Sequence, residues 1–122
     1  MKNNILYLDD TFDQRNMVKM ILETVGIQVE TAVDGQEGLR KVANNRPDLI
    51  LLDLRMPKLG GFEFLKIIKS QPNTKDIPVV VISAWANSAS QEEVMSAGAA
   101  AFITKPYELD ELISVVQKHL AR

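Results

Sequence analysis

Four short apolar runs in this sequence each end on a residue able to do chemistry. Ile5-Leu6-Tyr7-Leu8 runs into Asp9-Asp10, Leu49-Ile50-Leu51-Leu52 into Asp53, Val79-Val80-Val81-Ile82 into Ser83, and Ala100-Ala101-Phe102-Ile103-Thr104 into Lys105-Pro106. Three carboxylates gathered within a few ångströms cannot all stay ionised cheaply, because like charges disfavour the charged form and burial adds to the penalty. A divalent cation resolves this. Mg²⁺ takes oxygen ligands and keeps waters while joining one or two carboxylates to a phosphate, which suits the groups available; Mn²⁺ would substitute. Three aspartates, one Mg²⁺ and one lysine sum to zero formal charge, so an incoming phosphoryl group meets a neutralised site.

Phosphoryl transfer needs an in-line nucleophile and positive charge on the transferring oxygens. Asp53, in the middle of the pattern, is the nucleophile candidate, since carboxylates form aspartyl phosphates as covalent intermediates. Asp9, Asp10 and the backbone carbonyl of Arg55 join Asp53 as candidates on the metal side. The Ser83 hydroxyl is placed to donate to one phosphoryl oxygen while the Lys105 ammonium pairs with another, stabilising charge as it develops.

These residues must be brought together by the elements between them. Gln14 to Val25 carries Met17, Ile21 and Val25 at four-residue spacing, with Val18 and Leu22 beside them, the period of a helix lying on a sheet. Gly26 should end it. Gln28 to Ala32 alternates like a strand near a sheet edge, Asp34-Gly35 makes a turn, and Gln36 to Asn44 is a short helix stopped by Asn45-Arg46-Pro47. Phe62 to Ser70 is helical with Phe64, Leu65 and Ile68 inward; Ser90 to Ala97 is helical with Val94 and Met95 inward; Leu109, Leu112, Ile113, Val116 and Leu120 mark a closing helix. Met17, Met20, Met56 and Met95 read as packing residues. Strands alternating with helices imply parallel pairing through right-handed crossovers, which brings the carboxyl ends of the strands to one edge.

The remaining composition narrows the function. The chain has 122 residues, one domain over 1–122, with no cysteine and a single histidine, so disulfides, thiolate metal sites and histidine clusters are excluded. His119 reads as a solvated residue or a mild helix-dipole partner. A formal net charge of -2 with interspersed signs gives no steering toward nucleic acid. No run approaches the roughly 18 apolar residues of a membrane span, and cytoplasm is the default location. Gly60-Gly61 lacks the spacing and the Lys-Ser/Thr ending of a phosphate loop.

Leu8-Asp9-Asp10, then Asp53 with Met56-Pro57 and Gly60-Gly61, then Ser83-Ala84, then Lys105-Pro106 follow the order and separations of one family. Over essentially its whole length the chain resembles the receiver domain of two-component response regulators, the CheY-like family. The resemblance implies an α/β, flavodoxin-like three-layer (βα)5 sandwich with a five-stranded parallel sheet in order 2-1-3-4-5. It implies that Asp53 takes a phosphoryl group from a histidine kinase or phosphotransfer protein, that Asp9 and Asp10 hold Mg²⁺, that Ser83 and Lys105 contact the phosphate, and that the Lys105-Pro106 bond is cis. It places a switch aromatic at Phe102 and an output face for a downstream effector on the fourth helix, fifth strand and fifth helix. A monomer or a phosphorylation-dependent dimer is expected.

Three positions depart from the commonest family picture. Arg55 and Trp85, each two residues beyond a site residue, are expected to flank the mouth of the pocket and to slow hydrolytic water, and Phe12 stands in the first loop where a polar residue is common. Taken singly, an Asp-Asp pair, an Asp, a Ser or a Lys-Pro at a strand end would be an ordinary solvated feature; their joint placement favours the phosphoacceptor reading. Because Arg122 closes the last helix, a free-standing regulator or phosphorelay intermediate is expected, with a receiver cut from a longer transcription factor as the alternative. A haloacid dehalogenase-like aspartyl phosphatase would need a second acid two residues after the nucleophile, where this chain has Arg55. A passive flavodoxin-like binder is the third reading.

Overall fold

The computed structural model describes residues 3–54, 59–84 and 88–120. Strands and helices alternate: β1 (Asn4–Leu8), α1 (Phe12–Thr24), β2 (Gln28–Ala32), α2 (Gly35–Asn44), β3 (Leu49–Asp53), α3 (Gly61–Ser70), β4 (Val79–Ser83), α4 (Ser88–Ser96), β5 (Ala101–Thr104) and α5 (Leu109–Leu120). All pairings are parallel in the order β2-β1-β3-β4-β5, the order that the family resemblance implied.

The central strands carry unbroken apolar runs because both faces are covered, and alternate side chains serve opposite layers. Ile5, Tyr7, Leu49, Leu51, Val80, Ile82 and Ile103 meet Val18 and Leu22 of α1 and Leu112 and Val116 of α5. Leu6, Leu8, Ile50, Leu52, Val79 and Val81 meet Val42 of α2, Phe64, Leu65 and Ile68 of α3 and Val94 of α4. By this alternation Asp53 continues the side of Leu49 and Leu51, while Ser83 continues the side of Val79 and Val81. Each fully buried aliphatic side chain contributes about 1.5–3 kcal/mol relative to an exposed one, so the middle of the sheet is a stiff platform.

The helices start and stop for local reasons. Gly26, at φ +84°, ends α1 in a conformation that L side chains rarely adopt. Asp34 caps α2: its Oδ1 accepts from the Glu37 N–H at 2.9 Å, while Glu37 Oε1 accepts from the Val33 N–H at 2.8 Å. The helical faces are narrower than the spacing suggested. In α1 only Val18 and Leu22 are buried, and Met17, Met20 and Val25 lie 39%, 68% and 39% exposed. In α4, Val94 is inward but Met95 is not. Neighbours in a helix sit about 100° apart, so one residue at the centre of the buried stripe turns the next toward its rim. The packing role expected of Met17, Met20 and Met95 is therefore overturned, and Met56 lies outside the described residues. Phe12 is not in a loop; it opens α1 with its ring exposed and the Arg15 guanidinium 5.8 Å from its centroid.

The connection after β3 is tied down at both described ends. Gly61 N–H donates to Leu54 O at 3.3 Å, and Gly35 N–H donates to Leu59 O at 3.2 Å. A Cβ on Gly61 would lie 2.6 Å from both Asp53 O and Leu54 Cα, and backbone cannot swing aside as a side-chain tip does. Gly61→Ala should therefore cost about 1–3 kcal/mol of stability by forcing backbone shifts. Chemical denaturation measures the loss, and an unchanged midpoint would show that the turn has slack.

Candidate functional site

Asp53 is the last residue of β3, and Lys105 follows the end of β5. Although 52 positions separate them, Lys105 Nζ donates to Asp53 Oδ2 at 2.7 Å, and the carboxylate side chain is only 7% exposed. The intervening strand sets this distance. Lys105 N–H donates to Ser83 O at 2.9 Å, which ties the end of β5 to that of β4, and Asp53 lies beside Ile82 in register. The Lys105-Pro106 peptide bond is cis, as the resemblance implied. Ser83 is fully buried at the end of β4.

Asp9 follows β1, the other neighbour of β3, and is 1% exposed. A carboxylate so placed must have its oxygens satisfied. Tyr7 Oη donates to Asp9 Oδ2 at 2.6 Å and the Thr11 N–H donates to Asp9 Oδ1 at 2.8 Å. The Asp9 main chain is held as well, its N–H donating to Ala32 O at 3.1 Å and its carbonyl accepting from Arg15 Nη1 at 2.8 Å. Asp10, by contrast, is exposed, and among the described residues its carboxylate meets only Thr11 Oγ1, at 3.4 Å. Its negative charge faces solvent.

The sequence brings the acids of β1 and β3 to one edge, but their crowding is looser than expected. Among the described residues no three acidic or imidazole side chains form a ready-made cation cage. Each inward carboxylate instead has its own donor, Lys105 for Asp53 and Tyr7 with Thr11 for Asp9. Arg55 and Trp85 lie outside the described residues, so neither the carbonyl expected on the metal side nor the two flanking bulky groups can be placed. The donor set still suits a hard cation: two carboxylates at neighbouring strand ends are what Mg²⁺ needs when water and a phosphate complete its shell.

Two tyrosines lie under the acids. Tyr7 is fully buried, and its hydroxyl is pushed far above the ordinary tyrosine range by burial first, then by its hydrogen bond to Asp9 and the charges of Asp9, Tyr107 and Asp53. Tyr107 shifts the same way, by burial and then by the charges of Asp9 and Asp53. Its buried hydroxyl has no hydrogen-bond partner among the described residues. Such an orphan costs about 1–3 kcal/mol. Tyr107→Phe should accordingly raise stability by about 1 kcal/mol, the lower end of that range. A thermal melt reads this, and a lower midpoint would mean that the hydroxyl has a partner after all.

Tyr7, Thr11, Arg15 and Tyr107 were absent from the residues picked out by sequence. A signal for Tyr7 existed: two residues before Asp9 on a strand, it shares that residue's face. Phe102 is half-buried, beside Val81 in register, and packs on the α2–α3–α4 side of the sheet, the side of Ser83. His119 is half-buried rather than solvated, with Nδ1 2.9 Å from Val115 O in the last turn of α5.

Comparisons with known proteins agree with this fold. The response regulator receiver domain pattern matches residues 5–117. The chain is 37% identical over 118 residues to the transcriptional regulatory protein PrrA of Mycobacterium tuberculosis, covering 97% of this chain but 50% of that regulator. It is 29% identical to protein PilG of Pseudomonas aeruginosa, covering 95% of this chain and 86% of PilG. Among solved structures, the chemotaxis response regulator CheY4 of Vibrio cholerae superposes with a TM-score of 0.91 at 32% identity, covering 98% of this chain and 99% of that one. The receiver domain of sensor histidine kinase PA1611 from Pseudomonas aeruginosa, solved with a magnesium ion coordinated in its active-site cleft, superposes with a TM-score of 0.91 at 26% identity, covering 100% of each chain.

Proposed function

We propose, for a chain that belongs to the response regulator receiver family, that Asp53 accepts a phosphoryl group from a histidine kinase or phosphotransfer protein and that the resulting change is read by a downstream effector protein. One observation carries the reading: an ammonium and a carboxylate from strand ends 52 positions apart meet at 2.7 Å at the edge of a parallel sheet. Open α/β sheets bind ligands at that edge.

In this reading one Asp53 oxygen attacks the phosphorus of a phosphohistidine, an O–P bond forms as the N–P bond breaks, and the imidazole leaves with the donor. Lys105 passes from Asp53 to a phosphoryl oxygen, and the Ser83 hydroxyl donates to another. Asp10 and Asp53 would hold Mg²⁺ with the Arg55 carbonyl, and Asp9 would complete the acidic side; Mn²⁺ would serve in its place. Bound there, the cation neutralises charge on the phosphoryl oxygens. Phe102 would follow Ser83 as the switch, shifting the population between two packings of the α4, β5 and α5 surface.

Among the described residues no helix is long and apolar enough to cross a membrane; the cytoplasm is the proposed location. Both a receiver within a longer transcription factor and a shorter receiver protein have counterparts among the relatives, in PrrA and PilG. No direct nucleic-acid contact is proposed for this domain. The test is a titration with beryllofluoride and Mg²⁺ followed by amide NMR. Shifts should centre on Asp53, Ser83 and Lys105 and extend to Phe102. An unchanged spectrum would mark a passive binder, and steady hydrolysis of a phosphate ester without a phosphohistidine donor would favour a phosphatase.

A further inference from the structure

We infer that Tyr7 is a positioning residue of the acidic pocket, whose hydroxyl fixes Asp9 in one orientation and thereby sets the affinity and selectivity of the site for Mg²⁺. The inference rests on the metal reading just given. It starts from an oddity of the core. Ile5, Leu6 and Leu8 fill β1 with groups that bring no polar atom, whereas Tyr7 brings a hydroxyl into a fully buried position. Among the described residues that hydroxyl has one hydrogen-bond partner, the carboxylate of Asp9, at 2.6 Å. An aliphatic residue or phenylalanine would fill the space without needing an acceptor. The donor is placed where only the acid uses it.

A carboxylate offers about four lone-pair sites. Tyr7 Oη takes one on Oδ2 and the Thr11 N–H takes one on Oδ1, so Asp9 cannot rotate without breaking one of the two bonds. Its main chain is pinned as well, through Ala32 O and the Arg15 guanidinium. What remains of its acceptor capacity is therefore offered in a single orientation. Mg²⁺ demands near-ideal octahedral geometry, whereas Ca²⁺ tolerates a looser and larger shell. A fixed Asp9 thus favours the smaller ion, and groups that orient ligands in this way commonly alter metal affinity by about 10–100-fold.

Tyr107 supplies an internal comparison. Its hydroxyl also feels Asp9 and Asp53 but bonds to neither. Calorimetric titration of Mg²⁺ and of Ca²⁺ into the wild type, Tyr7→Phe and Tyr107→Phe separates the two. Tyr7→Phe keeps the ring and should weaken Mg²⁺ binding about tenfold, the lower end for such groups because Thr11 still holds one oxygen. Ca²⁺ should weaken less, so that the preference for Mg²⁺ narrows, and Tyr107→Phe should leave both affinities unchanged. Wild-type Mg²⁺ affinity in Tyr7→Phe overturns the inference while the metal reading stands. An equal loss of both ions accompanied by a lowered melting temperature overturns it too, since that is the mark of a merely structural hydroxyl. No Mg²⁺ binding by the wild type overturns the metal reading and this inference with it. A measurement on the wild type alone covers a variant that fails to fold: the Tyr7 hydroxyl proton should appear in the NMR spectrum as a slowly exchanging signal that moves when Mg²⁺ is added, and a signal indifferent to Mg²⁺ counts against the role.

Discussion

Asp53→Asn should give a folded protein that takes up no phosphoryl group. The amide has the shape of the carboxylate, so the end of β3 and its packing stay as they are, but the anionic oxygen that would attack phosphorus is gone. The asparagine carbonyl still accepts from the Lys105 ammonium that now sits 2.7 Å from Asp53 Oδ2. The loss of stability should therefore be about 1 kcal/mol, the scale of one altered hydrogen bond. Incubation with phosphoramidate and Mg²⁺ followed by intact-mass measurement reads the outcome: one added phosphoryl group on the wild type, none on the variant. A variant phosphorylated at the wild-type rate would move the acceptor to another carboxylate, with Asp10, the exposed one, first in line.

Lys105→Met should separate catalysis from metal binding by moving them in opposite directions. The methionine keeps much of the aliphatic length and loses the charge. Phosphorylation from a small donor should slow by about 10²–10³-fold, the usual effect of removing one group that stabilises transition-state charge. Mg²⁺ should nevertheless bind more tightly, because the ammonium competes with the cation for Asp53 and repels it through a partly excluded solvent. The lysine side chain is 25% exposed, which screens that repulsion, so the gain should be severalfold rather than orders of magnitude. Quenched-flow phosphorylation and calorimetry on the same preparation give both numbers. A parallel fall in rate and affinity would mean that Lys105 organises the pocket instead of charging it.

The positions of the strands were the most legible part of the sequence. Unbroken apolar runs allow little choice where both faces are covered, as in β3 and β4, and β2 and β3 begin and end where the pattern put them. The strand order was not legible from spacing; it came with the family resemblance, since alternation fixes parallel pairing but not which neighbour each strand takes. Helix faces were read too broadly, as Met17, Val25 and Met95 show, because a periodic sequence does not mark where the buried stripe ends. The Asp53–Lys105 meeting followed from two strand ends. The hold on Asp9 did not, because it combines a strand neighbour, Tyr7, with a helix N-terminal amide at Thr11 and a guanidinium one turn on, and a search for reactive residues passes over all three. Arg55 and Trp85 lie outside the described residues, and their expected effect on hydrolysis stands as a proposal.

The alternation of side chains along the strands has a further bearing. Asp53 belongs to the layer shared with α1 and α5, while Ser83 and Phe102 belong to the layer shared with α4. Acceptor and switch would then occupy opposite sides of one wall, joined through its rim, while α5, a part of the output surface, packs on the acceptor's side. Evolution or an engineer could therefore recut α4 without disturbing the layer beneath Asp53, whereas a change in α5 would touch acceptor and listener together.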